Sequence, residues 1–117
     1  MKQINIIQAY NNLEGLLDIK YYHSKEQWAL YNLRKELRSS VEFYEEQTEK
    51  IKNKYLEFAD EKGILSGTHY QDYLRETEEL NNLEIEPTFE KITLPFVDGI
   101  TFKTAESLEE FIEFKPE

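Results

Sequence analysis

The sequence predicts an α+β protein, mostly α: one long central helix with shorter antiparallel helices packed on it, a small C-terminal β-hairpin and a short terminal helix. Three observations predict this. Apolar residues recur at intervals of three and four from Leu30 to Phe58, no Pro or Gly interrupts residues 24–62, and beyond Leu83 the period falls to two. At 117 residues the chain reads as one domain, with residues 3–82 helical and 83–117 a small β/α cap. With 39% hydrophobic and 14% aromatic residues, it has too many large apolar side chains to remain disordered.

The elements follow in order. Ile6, Ile7, Tyr10, Leu13 and Leu17 fall at helical spacing within residues 3–17, and "DIKYYH" is a short extended connector. Ser24 and Gln27 stand at capping-box spacing, where a hydroxyl accepts from first-turn amides and the Gln side chain reaches back. From there the stripe runs Leu30, Leu33, Leu37, Val41, Tyr44, Thr48, Ile51, Tyr55, Phe58, close to the 3.5-residue period of a coiled-coil seam. Gly63 suits a left-handed C-terminal cap. Ser66 or Thr68 then starts a helix with Tyr70, Tyr73, Leu74, Thr77 and Leu80 on one side, returning along the rod as a helical hairpin. Leu83, Ile85, Ile92, Leu94 and Phe96 alternate with other residues as strands do, and Pro87 and Pro95 confine those strands to edges or bends. Asp98-Gly99 between two apolar pairs predicts a hairpin turn, and Thr104 caps a last short helix carrying Leu108, Phe111 and Ile112.

A helix of about 37 residues is roughly 55 Å long. A compact globule of this chain length has a diameter of only about 35 Å. The rod therefore outruns the globule, and its seam needs cover from the flanking helices, from a second copy of the rod, or from both. A homodimer is one expectation.

Charge and composition exclude several activities. The net charge is −10, and the whole excess lies in residues 60–117, with fifteen acids against five bases. Phosphate backbones need Lys and Arg to displace counterions, so direct nucleic-acid binding is not expected. The one basic cluster, Arg34, Lys35 and Arg38, is flanked by Glu36 and Glu42 and reads as a solvated helix face. There is no Cys, which removes disulfides, thiolate metal sites and cysteine nucleophiles. No apolar run approaches the roughly 20 residues of a membrane span, and Gln, Asn and Glu break up the first fifteen residues. The expectation is a cytoplasmic protein with no membrane contact.

No reactive constellation emerges. His23 and His69 each precede an acid by three residues, but no further His joins either pair to complete a metal site, and no cofactor is expected. Acid pairs such as Glu42 with Glu46 arise from composition in a chain with 24 acids. Ser39 and Ser40 lack a nearby His, and "GILSG" lacks the lysine of a phosphate loop. The chain is not expected to be an enzyme. Two groups remain as interaction candidates. Tyr21, Tyr22, Trp28 and Tyr31 concentrate at the start of the rod, either roofing the junction between the first two helices or forming a contact patch. Glu76, Glu78, Glu79, Glu84 and Glu86 carry much of the acidic excess.

"LYNLRKELRSSVEFYEEQTEKIKNKYLEFADEKG", "ETEELNNLEIEPTFEKI" and "LEEFIEF" together resemble small uncharacterised proteins of phages and prophages of Gram-positive bacteria. The resemblance is carried by Lys54, Tyr55 and Asp60 to Gly63, by Glu78, Glu79 and Leu80, and by Glu84, Ile85 and Glu86, and covers about residues 20–114. It implies a setting, the cytoplasm of an infected or lysogenic host, and no catalytic or binding residue. The expected function is a non-catalytic accessory protein acting through protein contacts, for example in virion assembly. The alternative is an acidic inhibitor of a host nuclease defence, with carboxylates mimicking nucleic acid. The partner is then a virion component or a host defence protein.

Overall fold

The computed structural model describes residues 1–86 and 89–116, so the expected role of Pro87 lies outside the described residues. The elements run α1 Gln3–Leu17, α2 Ser24–Leu56, α3 Gly67–Asn81, β1 Ile92–Phe96, α4 Phe102–Ser107 and β2 Ile112–Pro116. Helix dominates and the sheet has two strands. The molecule measures 55 × 28 × 20 Å, with a radius of gyration of 17.9 Å. A compact chain of this length would be near 13 Å, so the long axis is set by α2.

Helix α2 is unbroken over 33 residues. Leu30, Leu33 and Leu37 of its stripe join Ile6, Ala9, Leu13 and Leu16 of α1 in the connected hydrophobic core. Polar contacts fix the pairing of these helices: the buried Gln3 Nε2 donates to the Ser40 carbonyl at 2.6 Å, and Arg34 lies 4.3 Å over the Tyr10 ring. Contacts that ascend α1 thus descend α2. The same order holds at the far end, where the Tyr44 hydroxyl donates to Asn81 Oδ1 at 2.7 Å and Phe58 stacks on His69 at 3.9 Å. The N-terminal strap is held beside the end of α3 by an isolated antiparallel bridge between Lys2 and Glu84, and the terminal amine donates to Glu84 Oε2 at 2.8 Å.

Several expectations need correction. His23, not Ser24, is the N-cap of α2 and no side-chain capping bond forms there, and Leu83 and Ile85 lie outside the two strands. Helix α2 ends at Leu56, not near residue 62. Phe58 and Ala59 already bond three residues back, and Asp60 Oδ1 accepts from the amides of Lys62 and Ile64 at 2.8 and 2.9 Å. A short acidic side chain that captures local amides ends the helix early. Gly63, at φ +78°, therefore serves this turn and not the helix cap.

The C-terminal hairpin is replaced by a parallel pair, with Ile92 opposite Ile112 and Leu94 opposite Phe114. Parallel strands need a crossover of a dozen or more residues, and α4 lies within it. Asp98-Gly99 does form a turn, with the Ile100 amide donating to Val97 O, but the turn opens a helix. Gly99 has φ +100°, and a Cβ there would meet Ile19 Cδ1 at 3.0 Å, so this turn is fitted against the α1–α2 connector.

The expected last helix from Thr104 is likewise displaced. Thr101 is the cap, its hydroxyl accepting from the Thr104 amide at 3.1 Å, and Ile112 and Phe114 lie in a strand. Leu94, Leu108, Phe111 and Ile112 close the core over the α1–α2 pair.

Candidate functional site

The α1–α2 junction separates the four aromatic candidates by role. Tyr22 is buried, and its hydroxyl donates to the Pro95 carbonyl at 2.8 Å, tying the connector to β1. Burial, with Glu26 nearby, pushes its phenol up to about 12. Tyr22 is thus the roof. Trp28, by contrast, is 65% exposed, and Tyr31 is 53% exposed. Their rings stack at 5.8 Å, one helical turn apart. Both border an open hollow of about 590 Å³ floored by Tyr22 and edged by His23, Ser24 and Gln27. Tyr21 is also exposed but borders a different hollow, with Phe96, Val97 and Asp98.

The spacing 28, 31, 35, 38 continues the Trp28–Tyr31 face into Lys35 and Arg38. Tyr31 lines a second, smaller hollow of about 80 Å³ with Leu17, Arg34, Lys35 and Arg38. The exposed aromatic pair therefore sits beside the chain's one basic cluster. This surface offers flat apolar area with Lys35 and Arg38 at the Tyr31 edge and Glu36 and Glu90 at the Trp28 edge.

The acidic candidates differ in what they meet. Glu76 takes Lys54 Nζ at 2.7 Å, and its carboxyl is held below the usual range first by Lys54 and then by the Tyr55 hydroxyl. Glu84 is paired with the N-terminal amine, which lowers its pKa too. Glu78, Glu79 and Glu86 are exposed, and Glu78 lies two residues, about 200° of helix turn, from Glu76.

Sequence reasoning missed a third feature at the far end of the rod. Leu56, Ile64, Tyr70 and Leu74 are exposed there, and the first three border a hollow of about 340 Å³ with Tyr55 and Leu65. The available signal was Leu56, a large apolar residue immediately beside Tyr55 and hence off the α2 stripe. Phe102, also missed, is exposed and stacks on Phe96 at 5.5 Å.

Among the described residues no three His, Cys, Asp or Glu side chains are grouped to hold a metal ion, and no helix is long and apolar enough to cross a membrane. No family model, curated protein or solved structure matches the chain.

Proposed function

We propose that this chain is a non-catalytic accessory protein of a phage or prophage, working in the host cytoplasm by docking another protein against the Trp28–Tyr31 face. The observation that carries this reading is the exposure of a stacked Trp–Tyr pair over a rigid, buried Tyr22. Aromatic pairs of this kind are favoured interface anchors, and a pre-set pair loses little side-chain freedom on binding. Lys35 and Arg38 beside Tyr31 favour a partner with acidic groups near that edge, while Arg34 is engaged within the chain by Tyr10 and Glu14. A virion component is the partner class that the phage setting favours.

The alternative, an acidic inhibitor of a host nuclease, has less support. Two of its five carboxylates, Glu76 and Glu84, already have cationic partners within the chain. Trp28→Ala, which removes an exposed side chain, provides the test. Capture of virion or tail proteins by the native chain, lost with Trp28→Ala, supports the proposal. Capture of a host nuclease that is released by high salt and is unaffected by Trp28→Ala rejects it.

A further inference from the structure

The far arm of the molecule lacks a finished interior. Among the described residues the connected core takes no side chain from residues 38–84, and between Val41 and Leu80 only Tyr55 is buried. An isolated helix of 15 residues, the length of α3, is marginal in water. A two-helix hairpin has two flanks, and here one flank is apolar and open. Leu56 on α2 is 61% exposed, Ile64 in the turn is 57% exposed, and Tyr70 and Leu74 follow one turn apart on α3. All but Leu74 border the 340 Å³ hollow.

The charge pattern indicates what covers this flank. Residues 50–75 hold five bases and four acids, whereas the rest of the chain holds nine bases and twenty acids. The arm tip is thus close to neutral, and two copies of this acidic chain can meet there without strong like-charge repulsion. Area points the same way. With roughly 100 Å² still accessible on each, Leu56, Ile64, Tyr70 and Leu74 supply about half of the ~800 Å² per partner of a stable interface. Lys52, Ala59 and Leu65 beside them, with the stems of neighbouring charged residues, extend the patch.

We infer that the open flank is closed by the same flank of a second copy about a two-fold axis, so that the tips of α2 and α3 from both copies form a four-helix bundle. The globular ends then point away from each other. Each carries its own Trp28–Tyr31 face, so the dimer presents two docking faces at opposite extremes and gains avidity for a repeated partner. The dimer rests on the arm alone and stands or falls independently of what the aromatic face binds.

Light scattering on the full chain tests this, with circular dichroism on each variant. The expected mass is twice 14.1 kDa. Leu56→Glu and Leu74→Lys, both at exposed positions, should keep their helicity while association weakens by roughly tenfold or more, because each would bury a charge. Trp28→Ala should leave the dimer mass unchanged. Because the chain has no Cys, Ala59→Cys offers a second readout and should cross-link on mild oxidation far faster than Lys25→Cys at the opposite end. A native chain that stays monomeric at its highest soluble concentration overturns the inference. So does a dimer that survives Leu56→Glu with helicity intact, or one lost with Trp28→Ala.

Discussion

The Tyr22 hydroxyl donates to the Pro95 carbonyl across 73 residues of sequence, at 2.8 Å. This bond fastens the α1–α2 connector to β1 and so places the floor under the exposed Trp28–Tyr31 pair. Tyr22→Phe removes the donor and leaves that carbonyl without it, which should destabilise the protein by about 1 kcal/mol in chemical denaturation.

The same residue gives a signature at high pH. The folded phenol sits near 12, above its ordinary value of 10.0. Its contribution is therefore complete below pH 10 and is lost as pH rises through the folded value. Absorbance titration should show Tyr22 ionising late, alongside Tyr55, whose pKa is also raised by its hydrogen bond to Glu76, with stability falling over the same window, and Tyr22→Phe should remove Tyr22's share of the late signal.

Acid acts on the other end of the rod. Glu76 is held below its ordinary value of 4.5 by Lys54 and Tyr55, so its contribution is present above pH 4.5 and lost as pH falls through the lower folded value. Amide exchange in α3 should accelerate over that range before the core opens. Glu76→Gln should abolish the pH dependence of this local step.

Core and arm should differ sharply in their response to truncation. Leu30→Ala removes a side chain with 0% exposure and should destabilise by roughly 2–5 kcal/mol. Leu56→Ala removes an exposed one and should change unfolding of the dilute, dissociated chain by less than about 0.5 kcal/mol. Equal losses in denaturant titrations would contradict the assignment of core and open flank.

Thr48 is exposed in the middle of α2, so a substitution there acts mainly through the backbone. Thr48→Pro removes an amide donor and crowds the Tyr44 carbonyl, at a cost of roughly 3 kcal/mol or more. Thermal melting should show this loss, while Thr48→Ala stays near native.

The long helix was legible because its signal is redundant. The stripe from Leu30 to Phe58 repeats over eight intervals, and no breaker interrupts it. Its end was less legible, because the Asp60 side chain bonds to local amides and settles the turn before Gly63 is reached. The C-terminal order was hidden for another reason. Asp98-Gly99 suits either a hairpin or the entry to a helix, and the choice depends on Ile19 packing against Gly99 and on Phe114 pairing with Leu94. Both contacts link residues distant in sequence.

The candidate site was legible as a cluster but not by role. Tyr21 and Tyr22 are neighbours, yet one is exposed and the other buried, and an irregular connector has no period from which to read that. The apolar arm flank was obscured because Tyr70 and Leu74 fit the same stripe as Tyr73 and Leu80, which face inward.

The account depends on α2 running straight between the aromatic face and the arm tip. With no native Cys, Lys25→Cys and Lys52→Cys can be spin-labelled together at two exposed positions 27 residues apart. At 1.5 Å per residue, electron–electron dipolar spectroscopy on labelled chain diluted in excess unlabelled chain should give one narrow distance near 40 Å. A broad or much shorter distribution would mean that the rod is broken, and the separation of its two surfaces would be lost with it.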